Sequence, residues 1–259
     1  MRNLKFEFDL FFISEAFLNE HQHNLLNTLV VPKEEFKKNS SLSNVVNHST
    51  YQTWHLTYEF VIVAEPGWYE SIENTFKDAL KQEMIDNGTQ LINDDRLITS
   101  AYWDTLSQKE QIRFIQQFDD EPSKTDITQF SRISHLTALH NKFPENHGAN
   151  CLSATIYALT KNPFILEQWV HQETFMLFLN RLGYKEVESS FSSGNISGNI
   201  ICFYYDDLLT HACYAIDDEY VFNKQGQTFW EPWMIERFVT IQSKRDEVNY
   251  KIYKKIKVG

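Results

Sequence analysis

The sequence predicts an α+β protein in which a helix packs on an antiparallel sheet in the C-terminal half, preceded by a mixed α/β N-terminal half. Three observations lead there. Helix-compatible runs beginning at Cys151 and Gln172 come before a set of closely spaced strand-like segments. The N-terminal half instead interleaves strand-like and helical patterns. Finally, 20 Phe, 12 Tyr and 6 Trp in 259 residues supply ample material for packed interiors.

In chain order, Phe6, Phe8 and Leu10 alternate, which predicts an opening strand that runs into a helix near Ser14, whose hydroxyl can cap it. Lys37 to Asn44 reads as an exposed loop. From Trp54 to Ala64 aromatic and β-branched residues predict a strand, stopped by Pro66-Gly67. Between Tyr69 and Asn87, Ile72, Phe76, Leu80 and Met84 recur every four residues, the stripe of an amphipathic helix that Asn87-Gly88 ends. A further helix is expected over Ser107 to Phe118.

The polar, proline-containing stretch Asp119 to Asp126 marks the boundary region, with the handover completed near Asn141, so the expected domains are 1–140 and 141–259. Beyond it come a helix from Cys151, a second from Gln172 to Leu182 ended by Gly183, and a Ser/Gly/Asn loop over 189–199. Three strands follow at Gly198–Tyr205, Thr210–Ile216 and Glu219–Asn223, the last two joined by a turn at Asp217-Asp218.

Composition narrows the function. Lys and Arg number 24 against 35 Asp and Glu, a formal charge of −11, and no basic stripe suits a phosphate backbone, so nucleic acid is not an expected partner. No apolar run approaches the ~20 residues of a membrane span. Acidic residues stand where a signal peptide would carry its apolar core, so a cytoplasmic location is expected. Cys151, Cys202 and Cys213 form an odd, sparse set that fits a reducing compartment. The histidines lack His-Glu-x-x-His spacing and the cysteines lack Cys-x-x-Cys spacing, so neither a metal nor a cofactor is expected.

The chemistry concentrates in the C-terminal half. Asn146-His-Gly-Ala-Asn-Cys151 changes from loop formers to helix formers and puts Cys151 in the first turn of a helix. Backbone N–H groups there favour a thiolate and can donate to a developing oxyanion. His211 starts the middle strand and Asn223 ends the third, so the hairpin returns the two toward each other. A three-residue loop would place them on one face, opposite or diagonal, and a two-residue loop would place them on different faces. A thiol nucleophile, an imidazole that takes and returns its proton, and a polar residue that orients the ring make a Cys-His-Asn triad.

In this order and strand pattern, the stretch from Phe143 to Ile241 resembles the papain-like cysteine peptidases, in the compact arrangement of the NlpC-type cell-wall endopeptidases. Where that group has Asp-Cys-Ser-Gly, this chain has Asn150-Cys151-Leu152-Ser153, and Gly-Asp is replaced by Gly198-Asn199. The usual third histidine is Asn223, which is similar to papain itself. The resemblance implies a papain-like core and thiol-dependent hydrolysis of a peptide or isopeptide bond in a peptide or protein substrate. Cys151, His211 and Asn223 would be its catalytic residues. Asn146, His147 and Asn150 are candidates for the oxyanion site, and Gln225 and Trp230 for shielding the pair or lining a pocket. The same machinery would serve a transglutaminase or deamidase. A catalytically inert binding or assembly protein on the same fold is the alternative from another class.

Overall fold

A computed structural model describes residue 2, residue 4 and residues 6–43, 56–188, 196–245 and 249–256. The chain forms two compact units, Met1–Gln117 and Phe118–Gly259, and both are mixed α/β with antiparallel sheets. Among the described residues, no helix is long and apolar enough to cross a membrane.

The first unit holds strands β1 (Asp9–Ile13), β2 (Leu29–Pro32) and β3 (Phe60–Ala64) in the order β1-β3-β2, with a small hairpin of β4 (Ile92–Asn93) and β5 (Arg96–Leu97). Every residue of β1 is buried, because the run Leu10-Phe-Phe-Ile13 is apolar on both parities. Ser14 ends the strand and caps the helix Glu15–Glu20, its Oγ accepting the Phe17 N–H at 3.1 Å. The stripe Phe76, Leu80 and Met84 faces the core as its spacing requires, but the helical region is broken in two, Trp68–Ser71 and Asn74–Asp86. Ser71 Oγ turns back to the Trp68 carbonyl and Ile72 adopts an extended backbone. The capping box of Ser107 and Glu110 opens the helix Gln108–Gln116.

Two expectations change here. Lys37 and Lys38 are not in a loop; they close the helix Lys33–Lys38, anchored by the fully buried Phe36, and a short helical turn follows at Ser40–Ser43. Asn44, the end of that expected loop, lies outside the described residues. The strand expected over 54–64 is regular only from Phe60, and Trp54 and His55 lie outside the described residues.

The second unit is built on a six-stranded antiparallel sheet of β6 (Tyr184–Val187), β7 (Ile200–Tyr205), β8 (Leu208–Ala215), β9 (Tyr220–Lys224), β10 (Trp233–Arg237) and β11 (Asn249–Lys255). Its order is β10-β9-β8-β7-β11-β6, so the last strand of the chain is inserted beside β7. Asp206 and Asp207, both at positive φ, make the tight turn between β7 and β8. Part of the polar loop expected over 189–199 lies outside the described residues.

One face of this sheet carries the helices Cys151–Thr160 and Gln172–Arg181. Leu152 and Ile156 pack with Ile200 and Cys202, while Ala154 and Ala158 pack with Phe222 and Ile235. The other face carries Phe203, Cys213, Val221 and the helix Phe238–Ser243.

The division between units falls at 117/118 rather than 140/141. The reason is hydrogen bonding to β10 and the loop before it: the Asp120 N–H donates to the Trp230 carbonyl, the Ser123 hydroxyl to the Ile235 carbonyl, and the Asn141 N–H to the Trp233 carbonyl. The polar stretch after Gln117 is therefore a strap along the edge of the C-terminal sheet.

Candidate active site

The helix that begins with Cys151 is predominantly apolar, and residues 151–158, Ser153 and Thr155 included, are all buried. A helix of that kind has to lie inside. Asn150 caps it in a reciprocal box: its Oδ1 accepts the Ser153 N–H at 2.9 Å, and its own N–H donates to Ser153 Oγ at 3.0 Å. Asn150 Nδ2 also donates to the Val170 carbonyl at 2.7 Å. That side chain is committed to holding the helix start, which corrects its place among the oxyanion candidates. Asn146 is exposed on the loop ahead of it.

The cap leaves Cys151 at the first helical position, pointed at the gap where β8 and β9 part. Their pairing runs through Ala215↔Val221 and Tyr214↔Phe222. The Ile216 N–H turns toward β9 and the Ala215 N–H toward β7, so the Ala212 N–H, on the parity of Ile216, faces the β9 side. The Ala212 and Leu152 N–H groups lie near enough to the Cys151 thiol to favour its ionised form. Arg245 and Lys224 add positive charge nearby. These donors and cations favour the thiolate, but burial outweighs them and holds the Cys151 thiol above its ordinary value.

His211 precedes Ala212 and faces the other side of the sheet, its ring 5.7 Å from that of Phe203. It is 1% exposed, and burial, with Arg245 adding repulsion, holds its imidazole well below the usual value. Among the described residues neither ring nitrogen has a hydrogen-bond partner, so no hydrogen bond joins His211 to Cys151.

The register question between His211 and Asn223 is decided as the three-residue case. The Ile216 N–H donates to the Tyr220 carbonyl at 2.9 Å, one step beyond the paired Ala215 and Val221, which leaves residues 217–219 as the loop, and Asp217 Oδ1 accepts the Glu219 and Tyr220 N–H groups to close the turn. Side chains alternate along each strand, so His211, in step with Ala215, and Asn223, in step with the paired Val221, lie on the same face of the sheet.

Asn223 is fully buried, and its Nδ2 donates to Glu236 Oε2 at 3.1 Å, while Gln225 Nε2 donates to the same oxygen at 2.8 Å. Lys244 Nζ lies 3.8 Å from Glu236 Oε1. Asn223 Oδ1 is buried without a partner among the described residues.

The loop after β9 is pinned from below by Lys224, which is fully buried and donates to the carbonyls of Gly226 (3.0 Å) and Thr228 (2.8 Å). Glu231 approaches its ammonium at 3.8 Å, but burial dominates and lowers the lysine to about 8. The same loop is stitched to the segment before Cys151: Gly148 N–H donates to the Gln227 carbonyl, and Phe229 N–H to His147 Nδ1 at 3.2 Å. The His147 proton is thereby on Nε2. Its ring packs 4.0 Å from Phe229 and 5.0 Å from Trp230, and Trp230 also meets Phe118. His147 and Trp230 are brought together as the packing of this loop, whereas Gln225 joins Asn223 through Glu236.

Cys151 packs on the helix-bearing side of the sheet, His211 and Asn223 lie on the parity of the opposite face, and among the described residues no hydrogen bond joins the three into a triad. The sequence reading missed Glu236, Arg245 and Lys224. A charged residue at the end of each apolar strand, Tyr220–Lys224 and Trp233–Arg237, is the signal that points to two of them. Among the described residues no three His, Cys, Asp or Glu side chains converge as a metal site needs. Comparison of the chain with known protein families, with curated proteins and with solved structures finds no match.

Proposed function

We propose that the second unit is a papain-like core and that it hydrolyses amide bonds in peptides or proteins through an acyl-enzyme on Cys151. One observation carries the reading: the thiol heads a capped helix and sits against the Ala212 N–H, one residue from a buried histidine with two unpaired ring nitrogens. Buried polar atoms of that kind cost about 1–3 kcal/mol each. Such a cost is retained where the atoms do chemistry.

The shifts on both groups make the resting pair neutral, a thiol and an uncharged imidazole. Proton transfer then accompanies attack. His211 takes the thiol proton as sulfur bonds to the carbonyl carbon and the C=O pair moves onto oxygen. When the carbonyl re-forms, the C–N bond breaks and the imidazolium returns its proton to the leaving amine. Water, activated by His211, cleaves the thioester and frees Cys151. An amine in place of water gives the transglutaminase outcome, and a primary amide substrate gives deamidation.

The test is the pH dependence of iodoacetamide alkylation at Cys151, read by mass spectrometry in the native protein and in His211→Ala. Alkylation that His211 assists as a general base, and that therefore slows in the variant at equal pH, supports the reading, together with loss of amidase activity in Cys151→Ser and His211→Ala. Superimposable alkylation profiles overturn it.

A second reading has its own support. Cys151 is only 8% exposed, its thiol is shifted upward, and it makes no hydrogen bond to His211, all of which suit an inert binding or assembly scaffold. That reading expects Cys151 to react as an ordinary buried thiol whether or not His211 is present.

A further inference from the structure

We infer that Glu236 is a positioning residue that fixes the side-chain amide of Asn223 so that its carbonyl oxygen is offered to the imidazole of His211. The inference rests on the thiol-hydrolase reading and adds a residue to it.

A carboxylate oxygen only accepts, so an amide bound to it has to present its NH₂ end. Glu236 Oε2 receives Asn223 Nδ2 at 3.1 Å and Gln225 Nε2 at 2.8 Å, which removes the choice between the two orientations of each amide. For Asn223 this leaves Oδ1 as the free end, and Oδ1 is the atom that is buried with no partner. On the same sheet face, His211 holds two buried ring nitrogens with no partner among the described residues. A neutral imidazole has one N–H to donate and Asn223 has one oxygen waiting to accept. Pairing them satisfies an orphan on each side and selects one tautomer of the ring, leaving the other nitrogen to accept the thiol proton.

Glu236 is itself steadied by Lys244 at 3.8 Å, and Arg245 supplies the second cation of this face. A carboxylate buried beside two neutral amides would otherwise be a costly choice for an apolar strand. Its place on β10, with Met234 opposite Asn223, lets it reach both amides at once.

The experiment is ¹⁵N NMR of the His211 ring in the full chain, which distinguishes its tautomers without any substrate. The native protein is expected to hold a single tautomer, and Glu236→Leu and Asn223→Ala are each expected to give a mixture. Glu236→Gln, which keeps an accepting oxygen, is expected to restore the native tautomer. Cys151 alkylation at pH 7 should fall by the same factor in Glu236→Leu as in Asn223→Ala, and no further in the double variant, because the two act as one unit. A folded Glu236→Leu that keeps the native tautomer overturns the inference, as does an Asn223→Ala that keeps it. Should Glu236→Leu not fold, the native spectrum still decides: a mixture of tautomers there overturns it. If alkylation of Cys151 ignores His211 while the tautomer follows Glu236, the hydrolase reading fails and the positioning stands.

Discussion

In the first unit the buried carboxylate of Asp9 receives the Ser100 N–H at 2.7 Å and the Ser100 hydroxyl at 3.0 Å, whereas in the second unit His211 and Asn223 carry three buried polar atoms with no partner among the described residues. Both clusters are nearly inaccessible to solvent and both pay for desolvation. Only the first offsets part of it locally, by tying β1 to the start of the helix Ser100–Thr105. The contrast separates two uses of a buried polar group. A fully paired one serves the fold, and an unpaired one is tolerated for what it can still bind.

Lys224 tests that rule most strongly, because it lies beside the candidate site yet has all its partners. Lys224→Met is expected to cost about 3–5 kcal/mol in urea unfolding, since it leaves the Gly226 and Thr228 carbonyls without their buried donor and removes the cation beside Glu231. A loss below about 1 kcal/mol would place Lys224 with the chemistry instead.

Asp9 is expected to give the next largest effect, and it depends on pH. Burial raises its carboxyl from 3.8 to about 6, so between those values the folded protein binds more protons than the unfolded one. Stability therefore falls as pH rises from about 4 to about 6, by up to about 3 kcal/mol. In Asp9→Asn that slope should vanish, with the variant equal to the native protein near pH 4 and more stable at pH 7. Parallel stability curves across this range would refute the assignment.

Asn150→Ala removes the cap at 2.9 Å and the bond to Val170 at 2.7 Å, an expected loss of about 1–2 kcal/mol. Because the cap also aims Cys151, alkylation at that thiol should slow in the same variant.

The smallest stability effects are expected where the polar atoms are unpaired. His211→Leu should stay within about 1 kcal/mol of the native protein, since no hydrogen bond seen among the described residues is lost and apolar surface is gained, whereas Asn223→Leu also removes the bond to Glu236 and should cost about 1.5 kcal/mol. Their signature is chemical: loss of the pH-dependent reactivity of Cys151. A large destabilisation with unchanged reactivity would make this cluster as structural as that of Asp9.

Local patterns were legible wherever short-range physics decides. Ser14, Ser107 and the stripe Phe76, Leu80 and Met84 act as their neighbours in sequence require, and the apolar run after Asn150 could only be an inside helix. The break at Ile72 was hidden because periodicity continues across it. Strand β11 is set by long-range pairing: Tyr250 and Ile252 alternate with lysines, and this short segment becomes a strand only when β6 and β7 are present on either side to pair with it.

The sequence by itself determined the α+β class, the capped helix that begins at Cys151, and the order of Cys151, His211 and Asn223 along the chain. These follow from side-chain spacing and from capping, which act over a few residues. Tertiary structure alone decided that His211 and Asn223 share a face, that the Cys151 thiol lies near the Ala212 N–H where β8 and β9 part, and that Glu236 holds the Asn223 amide. Those relations join residues 12 to 61 positions apart, and pairing register and burial set them only when the whole sheet is assembled.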